Sequence, residues 1–125
     1  KPITIFGDGK QVRDMLYVDD LIGAYIHALA NLSNLRGQVF NIGGGPANSL
    51  SVWWELRHIL KEITGYDTEA QFEDWRPGDQ KIHITDNRKL KADLDWEPRI
   101  SLRDGIEKVF NWTQGTLKAS KRSVA

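Results

Sequence analysis

Two arginines stand in settings suited to anion chemistry. Arg13 closes the run Gly7-Asp8-Gly9-Lys10-Gln11-Val12-Arg13, and Arg76 sits in Asp74-Trp75-Arg76-Pro77-Gly78-Asp79-Gln80, beside a Pro-Gly turn. A guanidinium on a short irregular segment offers a rigid fork of N–H donors that matches a phosphate or carboxylate bidentately. Two forks match a diphosphate. The plainer reading is two surface ion pairs, Arg13 with Asp14 and Arg76 with Asp74 or Asp79, worth about 0–1 kcal/mol each. Gln11, two residues before Arg13, falls on the same face of an extended strand and either shares the anion or is an ordinary exposed polar residue.

These groups need elements to hold them. Ile3 to Phe6 reads as a short strand, with Gly7-Asp8-Gly9 turning it as a hairpin into Val12 to Tyr17. An Asp of Val18-Asp19-Asp20 is expected to cap a helix whose apolar stripe is Leu21, Tyr25, Ala28, Leu29 and Leu32, leaving His27 solvated on the opposite side. Gln38 to Ile42 reads as a buried strand before Gly43-Gly44-Gly45-Pro46. That glycine loop lacks the third glycine of a dinucleotide fingerprint. Ser49 or Ser51 caps the next helix, with Val52, Leu56, Ile59, Leu60 and Ile63 as its core stripe and Gly65 as its stop. Trp53 belongs to the core, and Trp54 lies among polar neighbours, either as a contact surface or as a scattered exposed aromatic. Thr68 to Trp75 is a strand delivering Arg76 and Asp79 to the Pro-Gly turn, where Asp79 either pairs with Arg76 or serves a ligand. Ile82 to Thr85 is extended, Asp86 caps a short helix from about Asn87 to Leu94, and Ser101-Leu102-Arg103-Asp104 is a capping box opening a last helix. His83 has no nucleophile or metal-ligand motif beside it. The expected architecture is a mixed α/β fold with three longer helices and one short one around a few short strands.

The chain is 125 residues long, the size of one domain, with 17 basic and 17 acidic side chains and no cysteine. Balanced charge recruits neither nucleic acid nor an anionic membrane, so anion binding has to be local. Absence of cysteine excludes disulfides and thiolate metal sites, and fits a cytoplasmic setting. No apolar run has the length of a membrane-spanning helix. Opening at Lys1 directly into a strand, the chain is expected to be part of a longer protein. Residues 118–125 read as a frayed basic tail after a unit spanning 1–117.

Taken together and in order, Ile3-Thr4-Ile5-Phe6-Gly7-Asp8-Gly9 through Asp14, Tyr17-Val18-Asp19-Asp20, Asn41-Ile42-Gly43-Gly44-Gly45, Arg76-Pro77-Gly78-Asp79 and Trp96-Glu97-Pro98 resemble the C-terminal part of extended short-chain dehydrogenase/reductases of the NAD-dependent epimerase/dehydratase family. Asp74 to Gln80 is most similar in wording to the CDP-paratose 2-epimerases within that family. The resemblance implies the substrate-binding portion of such an enzyme, lacking most of the Rossmann domain. It implies a nucleotide diphosphate sugar as ligand, with base contacts from the main chain near Phe6, Arg13 and Arg76 on the diphosphate, and Asp79 on the ribose hydroxyls. It also implies NAD and a homodimer for the longer parent enzyme.

Family catalysis uses a glycine-rich cofactor loop and a Tyr-x-x-x-Lys pair. Here Tyr17 is followed four residues later by Leu21, Tyr25 by Leu29 and Tyr66 by Ala70, so this chain is expected to hold no NAD site and no catalytic residue. Without the missing sheet, exposed apolar surface and open strand edges are expected, and with them self-association. Rival readings are another family enzyme, such as a dTDP-glucose 4,6-dehydratase or UDP-glucuronate decarboxylase, and a non-catalytic nucleotide-binding or interaction module.

Overall fold

The computed structural model describes residues 2–122, with side chains to Leu117. Among the described residues, five short strands form two small sheets. β1 (Ile3–Phe6) pairs in parallel with β4 (Ala70–Glu73), whereas β2 (Val12–Asp14) is the centre of a second sheet, antiparallel to β3 (Ser49–Ser51) and parallel to β5 (Ile82–His83). The expected hairpin is therefore absent. Gly7 and Gly9 both take positive φ, 84° and 74°, but they shift the chain from one sheet to the other instead of reversing it. Residues 74–81 make the same crossing between β4 and β5, and the two connections lie together: Gly7 N–H donates to Glu73 O at 2.9 Å and Val12 N–H to Lys81 O at 2.9 Å.

Among the described residues, four helices surround the sheets: α1 (Val18–Ala30), α2 (Trp54–Thr64), the short α3 (Arg88–Leu94) and α4 (Leu102–Arg122), with a 3-10 turn at Pro46–Asn48. Gly65 ends α2 in the left-handed conformation, with its N–H on Lys61 O, as its position after the apolar stripe predicts. α3 ends on Asp95 at φ 49°. Ser101 Oγ accepts the Asp104 N–H at 3.2 Å and donates to its carboxylate at 2.7 Å, making the start of α4. α4 continues through residues 118–122, which were expected to fray; the rest of that tail, 123–125, lies outside the described residues.

One core is built of Ala24, Leu90, Leu94 and Trp96, with Leu16, Ala28, Leu35, Phe40 and Ile42 packed on it. Each large side chain buried there contributes about 1.5–3 kcal/mol. Four expectations are corrected at its edge. α1 turns Asp20 and Ala24 inward and leaves Tyr25 and Leu29 exposed, as is Leu32 in the turn after it, because small residues at 23 and 24 let Trp96 approach. His27 is half-buried, its Nδ1 3.4 Å from Leu94 O. Asp20 does not cap α1; Tyr17 holds that position without a side-chain bond. Its carboxylate instead accepts the Arg99 and Ile100 N–H groups at 3.1 and 2.9 Å, anchoring the entry to α4. Finally, Gln38 to Ile42 is not a strand. Phe40 and Ile42 reach the core while Val39 is exposed, and no described segment runs alongside to complete a ladder.

Candidate functional site

Phe6, Gln11, Arg13, Arg76 and Asp79, the five residues singled out for ligand binding, line one cleft of about 260 Å³ together with Thr4, Ile5 and Val52. The cleft lies where the two connections cross between the sheets. β1 carries Phe6 to its edge and β2 carries Arg13, while the segment after β4 bends at Gly78, φ 79°, and is closed by the Asp79 N–H on Arg76 O at 3.2 Å. Gly78 has open space around it, so its role is conformational.

Arg13 donates from Nη2 to Asp79 Oδ1 at 3.1 Å and from Nη1 to Val12 O at 2.8 Å. Asp79 thus pairs with Arg13 and not with Arg76. The Arg76 guanidinium lies 4.6 Å from the centre of the Phe6 ring, a cation–π contact that fixes the group by its face and leaves its N–H edge to act as donor. Gln11 is 4% exposed, and its Nε2 donates to Phe6 O. Among the described residues nothing donates to its buried Oε1.

Tryptophans hold the Gly7-Asp8-Gly9 turn. Trp75 packs on Gly7, Trp53 Cβ packs on Gly9, and Trp54 Nε1–H donates to Asp8 O at 3.0 Å. Trp54 also stacks on Phe72 with centroids 6.0 Å apart, so this exposed aromatic has a partner within the chain. The sequence did not mark these three residues as site supports, since each acts on a different residue of a distant turn.

Behind Arg13, the Asp14 carboxylate accepts the Gly45 N–H at 2.9 Å and bonds from Thr85. Burial raises the Asp14 pKa, but the bonds from Gly45 and Thr85 outweigh it and hold the pKa below the ordinary carboxylate value. Asn87 brackets Gly43, accepting its N–H at 3.1 Å and donating to its carbonyl at 2.8 Å. The backbone donors of Gly43 and Gly45 are therefore spent inside the fold. A dinucleotide pyrophosphate needs such donors free at the start of a helix. This loop does not fit one.

Two of the larger hollows have less suitable chemistry. The cleft of about 440 Å³ between α2 and α4 is lined by Leu56, Leu60, Leu102, Ile106 and Phe110 among others, with no charged side chain. The shallow one of about 760 Å³ near Pro46 contains Arg88 and Lys91, but these cations are paired with Asp86, Asp95 and Glu97. No helix of the described residues is long and apolar enough to cross a membrane.

A family model described as GDP-mannose 4,6 dehydratase matches residues 1–109. CDP-paratose 2-epimerase of Salmonella typhi is 43% identical over 113 residues, which are 90% of this chain and 33% of that protein. The structure of UDP-glucose 4-epimerase from Thermotoga maritima with UDP-glucose gives a TM-score of 0.78 at 39% identity, covering 94% of this chain and 36% of that one. The structure of UDP-glucuronic acid 4-epimerase from Bacillus cereus, in complex with UDP-glucuronic acid and NAD, gives 0.83 at 35% identity over 93% and 36%. The chain thus spans about a third of the length of these relatives.

Proposed function

We propose, for a chain that belongs to the GDP-mannose 4,6 dehydratase family, that its cleft is the nucleotide grip of an NAD-dependent nucleotide-sugar epimerase, with CDP-paratose 2-epimerase the leading specificity. The observation that carries this reading is the meeting of Arg13, Arg76 and Asp79 in one cleft. Arg76, fixed by its ring contact, presents its free N–H edge to one phosphate, and Arg13 keeps donors beyond those used on Val12 and Asp79 for the other. Asp79 accepts from the ribose hydroxyls, and the main chain at Phe6 reads the base. Anchoring this remote part of the substrate lets binding energy position the reacting sugar elsewhere in the protein. A cleft of this volume holds part of such a ligand, since sites for whole ligands run to about 300–1,000 Å³.

NAD supplies hydride acceptance in such a reaction, and the occupied glycine loop of this chain gives it no seat. On this reading the 125 residues bind nucleotide and do no chemistry alone. The exposed face of α1, with Ile22, Tyr25, Ile26 and Leu29 at 49–69% exposure, favours self-association of the isolated chain, and the longer enzyme is a homodimer.

Calorimetry tests the assignment. CDP and UDP are expected to bind weakly, and Arg13→Ala with Arg76→Ala to abolish binding. An unchanged affinity in the folded double variant overturns it.

A further inference from the structure

We infer that Gln11 is a specificity-determining residue: its Oε1 accepts a hydrogen bond from a donor group of the ligand lying beyond the phosphates. The inference rests on the reading of the cleft as a nucleotide diphosphate site. It begins with the orientation of the amide. The Phe6 carbonyl can only accept, so the end of Gln11 that meets it is Nε2. Oε1 is left as the free end, buried and without a donor among the described residues. Such acceptors are rare in folded proteins because burial without a partner is costly. An acceptor is also the wrong group for a phosphate oxygen, which carries no proton to give. Gln11 therefore does not duplicate the arginines; it demands the opposite kind of atom from the ligand.

The neighbours that Gln11 shares with Gly7 suggest how a ligand reaches it. A Cβ on Gly7 would stand 2.7 Å from Trp75 Cδ2 and 2.9 Å from Gln11 Nε2, so the indole and the amide press on the same glycine. Trp75 belongs to the segment Asp74–Gln80, whose described contacts with the cleft are made by side chains: Trp75 on Gly7, Arg76 on Phe6 and Asp79 on Arg13. A diphosphate can take the donors of Arg13 and Arg76 that these holds leave over, and rotation of the Trp75 indole off Gly7 opens Oε1 to the rest of the ligand. A hydroxyl of the ribose or an N–H of the base then satisfies Oε1. Both sources are donors, and both lie on the nucleoside side of the phosphates.

Binding of CDP, 2′,3′-dideoxy-CDP and inorganic pyrophosphate to the 125-residue chain tests this by calorimetry, in the native form and in Gln11→Leu. Gln11→Met, unbranched and closer in length, is the second variant should Leu prevent folding. CDP is expected to bind about fivefold more weakly to the variant, as for loss of one hydrogen bond, and pyrophosphate to bind as before. If the affinity of the dideoxy compound is indifferent to the substitution, the donor is a ribose hydroxyl. If its affinity falls with the substitution as that of CDP does, the donor is the base. An unchanged CDP affinity, or an equal loss for pyrophosphate, overturns the role of Gln11. Failure of CDP and pyrophosphate to bind the native chain is a different result, which removes the nucleotide reading itself.

Discussion

Arg13 and Asp79, 66 positions apart in the chain, meet at 3.1 Å across the crossing between the two sheets. Their side chains keep 29% and 17% of their exposure, so the pair is neither a solvated surface contact nor a dry one. Removing either partner is expected to lower stability by about 1 kcal/mol, at the top of the range for exposed pairs. A double-mutant cycle with Arg13→Ala and Asp79→Ala in urea measures the coupling directly. A coupling indistinguishable from zero means that the contact does not hold the crossing together.

Packing around the glycine loop makes a sharper demand. A Cβ on Gly44 would lie 2.0 Å from the Met15 carbonyl oxygen, an atom of the backbone that cannot step aside, whereas one on Gly37 would meet nothing. Gly44→Ala is expected to cost about 3 kcal/mol. Gly37→Ala, limited to the strain of φ 72°, is expected to cost about 1 kcal/mol. Equal losses in thermal unfolding would contradict the loop geometry.

Acid should act through Asp14. Its folded pKa lies below the ordinary value of 3.8, so its contribution to stability is complete above that value and is lost as pH falls through the lower, folded one. Asp14→Asn is therefore expected to shrink the difference in unfolding free energy between about pH 6 and pH 2.5. A variant with the native pH profile assigns the acid sensitivity to other carboxylates.

Ser51 and Glu55 bond reciprocally at the start of α2: Ser51 Oγ accepts the Glu55 N–H at 2.9 Å and the Glu55 carboxylate accepts the Ser51 N–H at 2.6 Å. The N-cap itself is Trp53, without a side-chain bond, so neither Ser49 nor Ser51 caps α2 as expected; Ser51→Ala is expected to cost about 1 kcal/mol by loss of its two bonds with Glu55. Ser49→Ala, whose hydroxyl donates to Gly45 O outside the helix, should leave α2 helicity intact by circular dichroism.

The α1 face gives a prediction about association. Leu29 is 69% exposed, so Leu29→Glu should change stability by less than about 0.5 kcal/mol. It should also shift the sedimentation of concentrated protein toward the monomer. A native chain that sediments as a clean monomer at high concentration removes the basis for self-association.

Much of this was legible before any coordinates. The apolar stripe of α2 with its stop at Gly65, the capping box that opens α4 at Ser101, the strand before Arg76 and the short helix after Asp86 follow from local rules that burial did not override. The five residues of the cleft were also named, from motif order and resemblance more than from spacing. What escaped was decided by partners distant in sequence. The Gly7–Gly9 turn looks like a hairpin until β1 takes β4 as its neighbour. Asp20 looks like a cap until the backbone at Arg99 and Ile100 claims its carboxylate. α1 carries apolar residues on more than one side, and the position of Trp96, invisible from residues 18–30, chose the small-residue side.

The break between the sheets also bears on mechanics. Arg13 rides on one sheet and Arg76 on the loop leaving the other, so their separation depends on how the paired crossings hold the two sheets. A ligand with two linked anionic groups would act as a cross-tie between them. Amide hydrogen exchange in β1 and β2 together, and not in either strand alone, should slow when such a ligand is added.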